Sequence, residues 1–251
     1  MKHYQKSFAV SDKPLAVGER IGVLLLVVGV YLLYFPISQF TSAQPAFTPI
    51  TALDTSIPLW PSWVLIYAFI YFLGVLPVCL TFDRQLFGRI ALAYISIEII
   101  SFVIFILLPV RMTLRPDSVD VTSFVTWGLQ LCYFIDKPVN CCPSLHVSIA
   151  VLGALCTYKV DRLLGTAAGI MAVLISLSTL LVKQHFTIDV VLGFFVALLM
   201  FRLLVMPYPS PNNSGSLQSL GRRWTAGVFC FYCVVIGWFY GAFAAGWVPW
   251  R

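Results

Sequence analysis

Charge is what this chain has least of: Lys, Arg, Asp and Glu together make 10% of its 251 residues, where a soluble domain carries roughly a quarter. With 60% hydrophobic residues beside it, that shortage excludes an ordinary water-soluble globule. Histidine is scarce as well, with three in all. There is no glycine-rich phosphate loop, no haem motif, no internal repeat and no CxxC pair matched by a second at zinc spacing. No cofactor and no metal is therefore expected. The net charge of +6 forms no stripe, since Lys and Arg are scattered between apolar runs. This argues against a nucleic-acid partner and for orientation in a bilayer.

Long apolar segments are what the chain does have. Runs at about 20–40, 62–82, 89–109, 143–159, 164–183, 187–206 and 224–247 can each cross about 30 Å of hydrocarbon as a helix with its backbone amides paired internally. The expected fold is an all-α integral membrane protein. A cytoplasmic tail, 1–19, precedes a six-helix transmembrane core, 20–206; a cytoplasmic linker, 207–223, leads to a seventh transmembrane helix and short C-terminal end, 224–251. The first run is read as retained, because no small-residue cleavage pattern follows it.

Seven spans put the termini on opposite sides. With the N-terminus cytoplasmic, eleven Lys and Arg residues fall inside and five outside: Arg111, Arg115, Lys137, Lys183 and Arg251. That imbalance obeys the positive-inside tendency, and its exceptions call for a chemical reason. The loop at 41–61 holds four prolines and one charge, Asp54, with Trp60 and Trp63 as interfacial anchors. The linker carries the sequon Asn212-Asn213-Ser214, on the side where glycosylation is not expected. Cys79, Cys132, Cys156, Cys230 and Cys233 lie in or beside apolar runs and read as small apolar residues. Cys132, Cys141 and Cys142 fall in an outside loop where a disulfide is chemically permitted.

Three clusters carry chemistry. In LLPVRMTLRPD, Arg111 and Arg115 follow the third run at its outer end. Two guanidinium forks there can clamp a phosphate or simply anchor a helix end among head groups. In DKPVNCCPSLHVS, Pro143 and Ser144 open a helix with His146 in its first turn. A helix N-terminus favours phosphate, and His146 can protonate a leaving oxygen; the plainer reading makes Ser144 a cap. In STLLVKQHFTIDVVLG, Lys183 and His185 end the fifth run, and Asp189 follows His185 by one helical turn. A carboxylate there can orient the imidazole, which can itself attack phosphorus; alternatively the pair ties two helices together. The topology carries all three clusters to one membrane surface, with Asp136, Lys137 and Asn140 at the entrance.

In this order and spacing the clusters resemble the type-2 phosphatidic acid phosphatase superfamily, whose pattern is KxxxxxxRP, then PSGH, then SRxxxxxHxxxD. The resemblance runs from about Leu108 to Gly193. It implies that His185 is the nucleophile forming a phosphohistidine, that Asp189 orients it, that His146 is the general acid, and that Arg115 and Ser144 bind phosphoryl oxygens, without a metal. Leu108 stands where the pattern has lysine and Thr179 where it has arginine. Arg111 and Lys183 are the nearby cations that can replace the missing charge. PSLH itself, the DxPxN that precedes it and the Ser-Thr of the third motif resemble the branch containing inositol phosphorylceramide synthase.

The expected function is thus an integral-membrane lipid phosphate phosphatase whose site faces the non-cytoplasmic side. The alternative is head-group transfer between lipids at the same site. A further alternative, of another class, is a transporter with a His185–Asp189 proton relay, for which Glu98 inside the third run is the favouring feature. The expected partners are a lipid phosphate and the bilayer; oligomeric state is left open by the sequence.

Overall fold

A computed structural model describes residues 15–210 and 215–250. The tail as far as residue 14, the sequon and Arg251 lie outside the described residues. Among those described, six helices are long and apolar enough to cross a membrane. They are α1 (Val17–Ser42), α2 (Pro61–Leu80), α3 (Arg84–Leu107), α6 (Arg162–Leu181), α7 (Thr187–Val205) and α8 (Gly215–Ala244), with the shorter apolar α4 (Phe124–Ile135) and α5 (Leu145–Val160) between. The chain is an all-helical, multi-pass membrane protein.

Every expected run is a helix, with two differences of detail. The segment after α3, expected to be loop, contains α4. Its twelve residues span about 18 Å at 1.5 Å per residue, too short to cross a bilayer, so it adds no span. The last helix starts at Gly215, inside what reads as linker. All seven cysteines are free thiols.

Local chemistry sets the helix ends. α1 breaks in a turn at Leu32 and Leu33, because Pro36 has no N–H to give the Leu32 carbonyl. Asp83 caps α3 through the Leu86 amide at 2.7 Å. Asp161 caps α6 through Leu163 and Leu164 and also pairs with Arg222 at 2.9 Å. These acids stabilise helix starts by accepting from otherwise unpaired amides.

α5 sits centrally. One side packs on Leu86, Ile90, Ile97 and Met200 through Leu152 and Cys156; the other meets Leu73, Leu76, Ala168 and Ala172 through Ala150 and Ala154. Small residues allow this close approach, since lipid supplies little hydrophobic drive for helices to associate. α7 crosses the start of α5 closely at Gly193, where a Cβ would stand 2.6 Å from the Ser144 carbonyl oxygen. Large apolar side chains such as Leu25, Ile170 and Phe231 point outward, toward the lipid.

The two ends of the bundle differ in charge. At one end Arg20 donates to the Val78 and Thr81 carbonyls, Arg84 meets Glu19 at 2.5 Å, and Arg89 donates to the Leu204 carbonyl. Lys159, Arg162, Arg202, Arg222 and Arg223 belong to the same end by topology. The opposite end gathers the C-terminus of α3, the N-termini of α2, α5 and α7, and the C-terminus of α6, and there the motifs meet.

Candidate active site

α5 has only sixteen residues, about 24 Å of helix. Ser144 caps it, accepting from the Val147 amide at 3.3 Å, and His146 follows in the first turn. α6 ends at Leu181, and a tight turn through Lys183, with φ +51°, reverses the chain into α7. That turn is held by the Thr179 carbonyl, which accepts from the Gln184 and His185 amides at 2.9 and 3.2 Å. The Ser144 amide donates to the Asp189 carbonyl at 3.0 Å, fixing the start of α5 against the start of α7.

These two elbows bring the imidazoles together. His185 Nε2 lies 3.3 Å from His146 Nδ1. His185 Nδ1 lies 2.9 Å from the Cys141 carbonyl oxygen, an atom that can only accept. Neutral His185 therefore carries its proton on Nδ1 and presents a lone pair at Nε2. His146 Nδ1 then carries the proton in their shared hydrogen bond. On its other side His146 Nε2 lies 2.6 Å from the Tyr67 hydroxyl, and the two rings pack at 4.5 Å between centroids.

Asp189 is fully buried one turn beyond His185. Its Oδ2 accepts from the Phe186 amide at 2.8 Å and stands 3.6 Å from His185 Nδ1, beyond hydrogen-bond length. The Cys141 carbonyl is the direct orienting acceptor, and Asp189 supplies charge behind it.

Arg115 reaches the same chamber. Its guanidinium donates to the Lys183 carbonyl at 3.2 Å, the Asp136 carbonyl at 2.7 Å and the Gln184 side-chain oxygen, and lies 4.8 Å over the Tyr133 ring. Three of five N–H groups are so used, leaving two for a ligand. A cavity of about 90 Å³ joins Arg115, Asp136, Asn140, Tyr67, Gln184, His146 and His185. Asp136 accepts from the Tyr34 hydroxyl. Burial pushes its carboxyl up from the ordinary aspartate range, against the pull of Arg115 and Tyr34. Asn140 accepts from Thr41 at 2.7 Å.

Other sequence candidates are placed elsewhere. Ser144 Oγ is buried and engaged as the α5 cap. Arg111 donates to the Ser42 carbonyl at 2.9 Å, at the end of α1. Lys137 donates to Gln39 and is not among the cavity-lining side chains. Lys183 turns away to the carbonyls of Asp54 at 3.2 Å and Ile57 at 2.5 Å; its pKa is lowered by burial, with Asp54 opposing. Asp54 in turn accepts from the Thr187 amide and hydroxyl, both at 2.7 Å. Burial alone would raise its pKa, but hydrogen bonds from Thr51 and Thr187 hold it below the ordinary value. Lys183 and Asp54 thus staple the loop after α1 to the α6–α7 elbow.

Tyr67, Gln184 and the Cys141 carbonyl are not among the residues the sequence singles out. Tyr67 reads as one more aromatic near the mouth of an apolar helix, and a main-chain oxygen has no letter in the sequence. Only Gln184, beside His185 in the third cluster, carries a signal, as a polar residue at membrane depth.

A larger apolar cavity of about 210 Å³ lies among α1, α2, α3 and α5 and reaches His146, sharing Tyr31, Tyr71 and Leu145 with the chamber. Glu98 lines it, with Oε2 enclosed and without a hydrogen-bond partner. Another of about 590 Å³, between α2, α4 and α8, touches the chamber at Tyr71, Cys132 and Ile135. Among the described residues no group of three or more His, Cys, Asp or Glu could hold a metal ion.

The family model described as the PAP2 superfamily matches residues 57–203, more than half of the chain and the whole stretch from Tyr67 to Asp189. Neither curated proteins nor solved structures give a significant match.

Proposed function

This chain belongs to the PAP2 superfamily, and on that premise we propose that it is a lipid phosphate phosphatase working through a phosphohistidine on His185. Membership makes it a membrane enzyme of the phosphatase or phosphotransferase type. The finer reading is carried by one observation: His185, its Nδ1 proton held by the Cys141 carbonyl, turns the Nε2 lone pair toward His146 in a chamber that also contains Arg115.

In the proposed reaction the Nε2 lone pair of His185 attacks phosphorus as the bond to the lipid oxygen breaks. His146, entering as imidazolium, gives its Nδ1 proton to that oxygen. Neutral His146 then takes a proton from water, whose oxygen attacks phosphorus; the P–N bond breaks and phosphate leaves. The two remaining N–H groups of Arg115 and the N-terminus of α5 stabilise the phosphoryl oxygens. Asp189 favours positive charge on the His185 ring. The apolar cavity at His146 receives the lipid chain. The non-cytoplasmic face is supported by the arginines and lysines collected at the other end of the bundle.

A second reading, transfer of a phosphorylated head group to another lipid, is favoured by the charge of the chamber. Its one lining cation, Arg115, faces one lining carboxyl, Asp136. With Leu108 and Thr179 where the family pattern has lysine and arginine, a single fixed cation suits a phosphodiester of one negative charge better than a monoester dianion. Two apolar cavities beside the chamber also provide for two lipids. The proton-relay reading is the least supported, because Glu98 Oε2 has no partner through which to pass a proton.

The test uses purified protein in liposomes. Phosphatidic acid is scored for released phosphate, and a head-group-labelled phospholipid for label arriving on ceramide or diacylglycerol. Either activity, with an acid-labile protein phosphate that disappears in His185→Ala, supports the histidine mechanism. Full turnover by His185→Ala, or lipid flux without turnover, would refute it.

A further inference from the structure

We propose that Tyr67 is the positioning residue of the acid–base histidine, its hydroxyl holding His146 Nε2 in both protonation states of the ring. The inference rests on the reading of His146 as general acid. Nothing in the three sequence clusters includes Tyr67, which lies more than seventy residues upstream of His146 and on another helix.

The proton positions follow from a chain of hydrogen bonds whose end is fixed. The Cys141 carbonyl accepts only, so His185 Nδ1 must donate, and neutral His185 Nε2 must accept. The donor to it is His146 Nδ1, at 3.3 Å. A neutral His146 then has a lone pair at Nε2 and needs a donor there. A cationic His146 has an N–H at Nε2 and needs an acceptor. A general acid visits both forms in each turnover, because a neutral imidazole that gave up its Nδ1 proton would be left as an anion.

A hydroxyl is the side-chain group that serves both forms without moving. It donates its proton to the neutral ring and offers a lone pair to the cation. Tyr67 supplies it at 2.6 Å, from a residue 3% exposed. Tyr67 is also stiff. Its ring lies against the imidazole at 4.5 Å and 33°, and the start of α2 is pinned to the α6 end by the Trp60 amide on the Leu181 carbonyl at 2.8 Å. A carbonyl in that position would serve only the cation, and an amide N–H only the neutral ring. Tyr67 therefore holds Nε2 as the pivot about which Nδ1 swings from His185 to the reacting oxygen, while the ring gains and loses its proton.

The test is Tyr67→Phe, which keeps the ring and removes the hydroxyl. Two substrates are compared in one preparation: phosphatidic acid, whose alkoxide leaving group needs a proton, and p-nitrophenyl phosphate, whose phenolate does not. Their ratio is independent of how much protein is folded. Since general acid catalysis contributes about 10²- to 10⁴-fold, a misaligned acid is expected to lower kcat on phosphatidic acid at least ~10-fold. The aryl ester should change less than ~3-fold, and KM should stay near wild type. Tyr208→Phe, which removes a hydroxyl bonded to the Asp83 carboxylate at 3.1 Å at the opposite end of the bundle, serves as the structural control and should leave the ratio unchanged.

Equal losses on both substrates, or none, would overturn the role of Tyr67. If His146→Ala is selective against phosphatidic acid while Tyr67→Phe is not, the acid assignment stands and this inference falls. A wild-type protein that turns over neither substrate removes the phosphatase reading, and the inference resting on it falls with it.

Discussion

His185 Nε2 and His146 Nδ1 are in hydrogen-bond contact at 3.3 Å, so no phosphorus atom fits between them. In-line attack needs a contact of roughly 3 to 3.5 Å on the nucleophile side and a hydrogen bond of about 3 Å on the leaving-group side. Binding of a phosphoryl group must therefore part the rings. A structure with vanadate bound is expected to show the two nitrogens roughly 5 Å or more apart, with the His185 Nδ1 contact to Cys141 retained. Vanadate bound elsewhere, with the imidazoles still in contact, would remove His185 as the nucleophile.

Arg115 and Lys183 should behave differently although both are cations in the motifs. Arg115→Ala removes the one cationic side chain lining the chamber and is expected to lower kcat about 10²- to 10³-fold. Arg115→Lys recovers little, because an ammonium cannot reproduce the planar fork. Lys183→Met leaves the Asp54 and Ile57 carbonyls unpaired, costing about 1–3 kcal/mol of stability with a smaller change in kcat per folded molecule. Thermal unfolding and turnover of both variants in the same detergent check this; a purely kinetic defect in Lys183→Met contradicts it.

Gly193 allows α7 to approach α5 at the level of the site. In Gly193→Ala the new methyl carbon meets the Ser144 carbonyl at 2.6 Å, which is backbone and cannot swing aside. Overpacking of this kind costs about 1–3 kcal/mol. The melting temperature should fall, and activity with it, because the Ser144–Asp189 backbone bond holding the two histidine-bearing elbows is stretched. Wild-type stability in this variant would show the crossing to be looser than described.

Asp54 links stability to pH. Its folded pKa is depressed by the net effect of its hydrogen bonds, so the ionised form favours folding. The contribution is full above the ordinary aspartate value of about 3.9 and is lost as pH falls through the lower folded value. The stability difference between wild type and Asp54→Asn, measured by thermal unfolding in detergent, should be constant at neutral pH and shrink below about pH 4. A difference that grows on acidification contradicts the assignment.

Much of the architecture was readable from hydropathy, since a backbone in lipid must pair its own amides and so advertises each span as an apolar run. α4 escaped because FVTWGLQLCYFI is too short to cross and lies between polar stretches, where length and flanks argue for loop. The roles of the motif side chains were less readable. His146, His185 and Arg115 converge as their order suggested. Lys183, two residues from His185, points instead into the Asp54 loop, because its left-handed backbone turns the side chain to the opposite face of the elbow.

What the sequence by itself determined is the class of molecule. Its apolar runs require membrane-spanning helices, and the order of its arginine and histidine clusters identifies the family. Only the tertiary structure decided which atoms meet. That Cys141 offers a carbonyl to His185, that Tyr67 reaches His146 from a distant helix, and that Ser144 is spent on a cap all depend on how helix ends lie in space. Hydropathy records whether a residue tolerates lipid, whereas a hydrogen bond depends on direction and on tenths of an ångström, which emerge only once the helices are packed.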